Sequence, residues 1–126
     1  MGYWTRCWEG NLVKTKHAYV PGRGDVVWIT LDPQAGHEQR GRRPALVVSP
    51  ASYNAKVGLA VMCPNTSQVK GYPFEVEIPP GLEISGAVLS DHLKSLDWRE
   101  RRAEKIARLP DGVLAGVLAR IEALLF

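Results

Sequence analysis

Between Tyr19 and Leu109 no apolar run exceeds about six residues before a glycine, a proline or an Asp-Pro step interrupts it. Segments that short are strands of a sheet, since helices of globular domains usually need ten or more residues. Val26–Leu31 is β-branched and aromatic and shows no alternation, which suits a strand buried on both faces; Asp32-Pro33 ends it. Pro44–Ser49 reads as a second buried strand, with Pro44 at the first position, where a missing N–H is tolerated, and Pro50 closing it. Ala51–Lys56 suits one helical turn, and Leu59–Cys63 a third strand stopped by Pro64. Phe74–Ile78 alternates strictly and is expected to be half exposed. Gly86–Ser90, Leu93–Leu96 and Glu104–Leu109 add short strands.

The pattern changes after Pro110. Val113, Leu114, Val117, Leu118, Ile121, Leu124 and Leu125 recur at helical spacing, and Asp111 complements the positive end of the helix dipole. Five to seven short strands followed by one amphipathic helix predict a mostly β (α+β) domain, a small curled sheet or barrel capped by that helix.

Composition narrows the class of function. The chain has 126 residues, 45% of them hydrophobic, which suits one core-bearing domain. No apolar stretch reaches the ~18 residues of a membrane span. Sixteen Lys and Arg against thirteen Asp and Glu leave +3, mildly basic, which permits a nucleic-acid partner without requiring one. Cys7 and Cys63 make no disulfide framework and no C-x-x-C. His17, His37 and His92 are scattered, with no spacing that suggests a metal site, so no cofactor is expected. Residues 1–18 lack the apolar core and cleavage site of a signal peptide and read as a flexible leader before a 19–126 domain; a cytoplasmic location is expected.

Two loops carry candidate chemistry. His37-Glu38-Gln39-Arg40-Gly41-Arg42-Arg43 packs three guanidinium groups, a carboxylate and an imidazole into seven residues before a strand. It is either a solvated basic turn or an anion site with a general base, since guanidinium forks hold phosphate oxygens. Arg43 is the best anchored of the three, and Arg40 and Arg42 suit steering charges. The second loop, Asn65-Thr66-Ser67-Gln68, offers hydroxyls to a phosphate or is plain turn chemistry. Asp91, directly after a strand, can accept from a base edge or be a satisfied strand-end carboxylate. Residues 94–108 hold six basic and three acidic side chains, either a backbone footprint or a salt-bridged face. Of the aromatic residues Trp28, Tyr53, Tyr72, Phe74 and Trp98, most are expected in the core. Tyr72, between Gly71 and Pro73, is the best exposed stacking platform.

Gly24-Asp25-Val26-Val27-Trp28, Gly36-His37-Glu38-Gln39 and Arg43-Pro44-Ala45-Leu46-Val47 together resemble the MazF/PemK toxin family. So do Ser49-Pro50, Tyr53-Asn54, Pro64-Asn65-Thr66-Ser67-Gln68, Lys70-Gly71-Tyr72-Pro73-Phe74-Glu75-Val76, Asp91, Lys94-Ser95 and Trp98-Arg99. The resemblance covers about residues 19–126 and implies an SH3-like small barrel, usually a homodimer. It implies a sequence-specific, metal-independent endoribonuclease that cuts single-stranded RNA, chiefly mRNA, leaving 2′,3′-cyclic phosphate and 5′-hydroxyl ends. A MazE-type antitoxin would cover the RNA groove with an acidic, flexible segment. By this resemblance Arg43 stabilises the transition-state charge, Thr66 donates to the phosphate, and Glu38 is the base or orients Arg43. His37, Gln39, Ser67, Lys70, Tyr72, Asp91, Lys94 and Arg99 would contact RNA.

Some positions depart from the family pattern. His37 stands where Ser is common, Ser67 where Thr or Ala is seen, and the Pro79–Gly86 loop is about one residue longer. A gyrase-poisoning family shares the barrel, so a non-enzymatic toxin is the alternative, and a barrel that only binds RNA or an antitoxin is a third.

Overall fold

The computed structural model describes residues 19–30 and 42–126. The leader, with Cys7 and His17, and the loop carrying His37, Glu38, Gln39 and Arg40 lie outside the described residues. The elements run β1 (Asp25–Thr30), β2 (Arg42–Val47), α1 (Ala51–Val57), β3 (Leu59–Thr66), β4 (Glu75–Glu77), β5 (Ala87–Leu89), β6 (Lys94–Asp97), β7 (Glu104–Arg108) and α2 (Asp111–Leu125). All strand pairs are antiparallel, in the order β4-β5-β3-β2-β1-β7, with β6 branching from β3. Among the described residues β7 does not pair back to β4, so the expected barrel is a curled sheet that stays open; the mostly β class stands.

The lack of alternation in β1 and β2 has a simple cause: both faces of these strands are covered. Val26, Leu46, Val48 and Cys63 pack with Val88, Leu114 and Val117 beneath α2. Val27, Ile29, Ala45 and Val47 pack with Ala60, Met62, Leu96 and Trp98 on the other side. Each fully buried Val, Leu or Ile contributes about 1.5–3 kcal/mol of transfer free energy. Trp28 departs from the expected burial. It pairs with Pro44 on β2 and Glu104 on β7 and remains 41% exposed. Tyr53 is exposed as well, so fewer of the aromatic residues are core than the sequence suggests; Trp98 is buried and donates its indole N–H to Asn54 O.

Two prolines act differently from the reading of them as strand punctuation. Pro44 is the third residue of β2, not the first. Val48 N bonds β3 at Val61 O, while Val47 O accepts from Gly24 on the other flank. By strand alternation the position of Pro44 faces β3, where it offers no N–H. The β2–β3 ladder ends at Ala45↔Pro64. Pro64 does not stop β3; the strand leaves β6 after Met62↔Lys94 and takes up β5 at Asn65↔Val88 and Thr66↔Ala87. The two missing donors fall where β3 exchanges partners, so its tip swings off the main sheet.

Helix α1 is nearly two turns rather than one, closed by Gly58 at φ 83, whose N–H donates to Asn54 O. Asn54 itself is fully buried; its amide donates to Pro21 O and Ser49 O and its carbonyl accepts from the Ser49 hydroxyl. Asp25 is tied to the Tyr19 hydroxyl at 2.6 Å and faces Lys105 and Arg108. Burial, then the Asp25 carboxylate, raises the Tyr19 phenol above its ordinary range. No helix among the described residues is long and apolar enough to cross a membrane.

Candidate functional site

The tip of β3 opens onto a groove. Its floor and walls come from Thr66 and Gln68 at the strand end, Lys70, Tyr72, Pro73 and Phe74 in the following loop, Glu75 at the start of β4, Leu89 at the end of β5, and Asp91 and His92 beyond it. The volume is about 480 Å³, within the usual range of ligand pockets. The Thr66 hydroxyl accepts from Gln68 N at 3.1 Å. That is the turn chemistry expected of Asn-Thr-Ser-Gln, and it leaves the hydroxyl hydrogen free to donate. Thr66 is held from behind by Gly86, at φ +102, where a Cβ would stand 2.0 Å from Thr66 O.

The Tyr72 wall is braced at both ends. The Glu75 carboxylate accepts from Lys70 N at 2.9 Å and Gly71 N at 2.8 Å, while Glu75 N donates to Tyr72 O. Arg120 of α2 donates through Nε to Pro73 O at 3.0 Å and through Nη1 to Gly116 O. Tyr72 is 61% exposed, as its Gly-Tyr-Pro context suggests. Across the groove Asp91 has no hydrogen-bond donor among the described residues; His92 Nε2 stands 3.8 Å from its Oδ1. Among the described residues, then, only this imidazole meets the Asp91 carboxylate. Beneath it Cys63 is buried, and burial, aided by the Asp91 charge, pushes its thiol up to about 12. Asn65 Oδ1 and Ser90 Oγ, chain neighbours of Thr66 and Asp91, are buried with no hydrogen-bond partner among the described residues, each at a cost of about 1–3 kcal/mol.

The structure separates the two described arginines of the basic loop. Arg42 is not a steering charge. It donates to Thr30 Oγ1 and Arg102 O and pairs with Glu104 at 2.9 Å, tying β2 to its neighbours. Arg43 lies opposite Ile29, is exposed, and no described residue hydrogen-bonds its guanidinium. Arg43 lies two residues before Ala45 and Thr66 two residues after Pro64, the last paired residues of the β2–β3 ladder, so both stand just beyond its end.

Among the sequence candidates, Thr66, Lys70, Tyr72 and Asp91 thus come together, with Ser67 exposed at their edge. Lys94, on β6, pairs with Met62 of β3 and does not line the groove. Arg99 follows β6 at the Leu59 end of β3, with its guanidinium 4.8 Å from the Trp98 ring centre. Much of the 94–108 charge serves the fold: Arg101 donates to Thr30 O, and Asp97 caps its own turn by accepting from Arg99 N and Glu100 N. Sequence reasoning assigned no role to Gln68, Glu75, His92 or Arg120. Glu75 and His92 sit within or beside quoted motifs, but Arg120 meets Pro73 across 47 positions, which no local pattern reveals.

Comparison with known proteins identifies the family. Residues 22–125 match the family model described as the PemK-like, MazF-like toxin of type II toxin–antitoxin systems. The Escherichia coli (strain K12) endoribonuclease toxin MazF is 45% identical over 107 residues, 85% of this chain and 96% of that protein. Endoribonuclease PemK of Escherichia coli is 33% identical, over 82% of this chain and 80% of its own. Crystal structures of MazF (TM-score 0.78, 58% identity, 86% of this chain and 98% of that one) and of MazE-MazF (TM-score 0.77, 52% identity, 86% and 97%), both from Deinococcus radiodurans, share the fold. With the matched region spanning both prolines, the β3 tip and the groove, the chain belongs to the PemK/MazF toxin family.

Proposed function

We propose that this protein is a toxin endoribonuclease that cuts single-stranded RNA at the mouth of the β3 groove. The observation that carries the reading is the Thr66 hydroxyl: it accepts from Gln68 N and keeps its hydrogen to donate, while on neighbouring β2 no described residue hydrogen-bonds the exposed Arg43 guanidinium. RNA carries its own nucleophile. The 2′-oxygen attacks the adjacent phosphorus, its proton passes to a base, and the bond from phosphorus to the 5′-oxygen breaks as that oxygen gains a proton. The products are a 2′,3′-cyclic phosphate and a 5′-hydroxyl. Arg43 would neutralise charge on the pentavalent phosphorane, Thr66 would donate to a non-bridging oxygen, and Glu38 is the candidate base. Support comes from the names of the relatives above and from the Thr66 donor and the exposed Arg43, whose guanidinium no described residue hydrogen-bonds.

The same family membership supports a homodimer, a cytoplasmic location and neutralisation by a MazE-type antitoxin, whose acidic segment would compete with RNA. His37, Gln39, Ser67, Lys70 and Tyr72 are proposed RNA contacts, Lys94 and Arg99 more distant ones. Arg43→Ala and Thr66→Ala are each expected to slow cleavage of a long single-stranded RNA by about 10²-fold or more, in EDTA, with circular dichroism unchanged. Undiminished cleavage by Arg43→Ala would remove that residue from the mechanism. A trapped gyrase–DNA complex without new 5′-hydroxyl ends would replace the ribonuclease reading altogether.

A further inference from the structure

We propose that Asp91 reads one base of the RNA in the groove, selecting an edge that carries an exocyclic amino group and rejecting uracil. This rests on the ribonuclease reading and assigns the specificity of the same site.

The groove has the wrong charge for a phosphate cradle. Its charged side chains are Lys70, Glu75 and Asp91, one cation against two carboxylates. Glu75 Oε1 accepts from both the Lys70 and Gly71 amides, which anchors that carboxylate to its own loop. Asp91 is different: it is exposed, accepts no hydrogen bond from a described residue, and has only the His92 imidazole at 3.8 Å. A phosphodiester laid across it would be repelled. The backbone must therefore run past Lys70 and the β2–β3 mouth, leaving the groove to a base. The exposed Tyr72 ring on the opposite wall supplies a stacking surface, and unpaired bases are read by stacking plus contacts to their Watson–Crick edges.

An ionised carboxylate only accepts hydrogen bonds. Adenine offers its N6 amino group, cytosine its N4 amino group, and guanine N1–H beside its N2 amino group. Uracil sets its single N3–H between two carbonyl oxygens, which the carboxylate repels. Asp91 thus discriminates by chemistry and not by size, and an amide in its place, able to donate as well as accept, would lose that discrimination.

The test uses a short RNA carrying one mapped cut site, with each flanking position varied through the four bases. Wild type and Asp91→Asn are compared by kcat/KM, and by fluorescence anisotropy on the same RNAs with 2′-deoxyribose at the cut, which removes the nucleophile. The expected result is one position where A, C or G is preferred over U by tenfold or more, with that preference narrowed in Asp91→Asn at that position alone. Thermal midpoints of the two proteins should agree, since the Asp91 carboxylate has no hydrogen-bonded partner among the described residues to lose. Unchanged base preference at every position in Asp91→Asn overturns the proposal. If wild type cuts no RNA, the ribonuclease reading falls, and the anisotropy preferences still decide whether Asp91 reads a base.

Discussion

Gly86→Ala should disable the site without touching a residue that meets RNA. The added Cβ would lie 2.0 Å from Thr66 O, 3.0 Å from Thr66 C and 3.2 Å from Ser67 Cα. Relief to 3.0 Å, the closest approach real Cβ atoms show, requires a shift of at least 3.0 − 2.0 = 1.0 Å. Backbone cannot turn away as a flexible side chain would. Gly86 is itself pinned, since its carbonyl accepts from Ile78 N at 2.9 Å and Ala87 pairs with Thr66. The φ of +102 adds about 1–3 kcal/mol for any residue with a Cβ, and the forced backbone shift about 1–3 kcal/mol more. The total, about 2–6 kcal/mol, is a large part of the ~5–15 kcal/mol that holds a domain together. At about 4 °C per kcal/mol, the thermal midpoint should fall by roughly 8–24 °C. A misplacement of about 1 Å at Thr66 is worth about 10²-fold in rate. Single-turnover cleavage of a long RNA well below the variant's midpoint separates that loss from unfolding. Gly81→Ala is the control: φ is +96 but nothing lies within 4 Å, so it should show only the smaller conformational cost. A Gly86→Ala protein that melts and cleaves like wild type would refute the claim that β5 sets the position of Thr66.

Removing either brace of the Tyr72 loop should loosen the groove wall and raise KM more than it lowers kcat. Glu75→Ala and Arg120→Ala are expected to speed amide exchange of Lys70 and Gly71, whereas Glu75→Gln, which keeps an acceptor, should restore much of the protection; unchanged exchange would sever α2 from the groove. The buried Cys63 thiol predicts an alkaline weakness. Its folded pKa, pushed up to about 12, exceeds the value near 9 of the unfolded chain. Between those values the unfolded state has lost the proton that the folded state keeps, so stability falls by about 1.4 kcal/mol per pH unit from this group. Denaturant titrations from pH 8 to 11 should show a shallower decline in Cys63→Ala than in wild type, and equal slopes would contradict the burial argument.

The sequence by itself determined the number and kind of elements. Short uninterrupted apolar runs such as Ala45–Val48 had to be strands covered on both faces, because alternation is lost only when neither face meets water. The helical spacing after Pro110 had to be a helix, and four groove residues stood in motifs whose turn and hydroxyl chemistry is local. What tertiary structure alone decided is where those elements meet. Pro44 and Pro64 each read locally as strand punctuation, yet together they force β3 from one partner to another, because the donors they lack fall at the same level of two ladders. Arg42 and Arg43 are indistinguishable as text. One becomes a tie among three strands and the other stays exposed, since adjacent residues of a strand point to opposite faces. The bond from Arg120 to Pro73 and the closeness of Gly86 to Thr66 exist only once distant segments pack, so no spacing along the chain announces them.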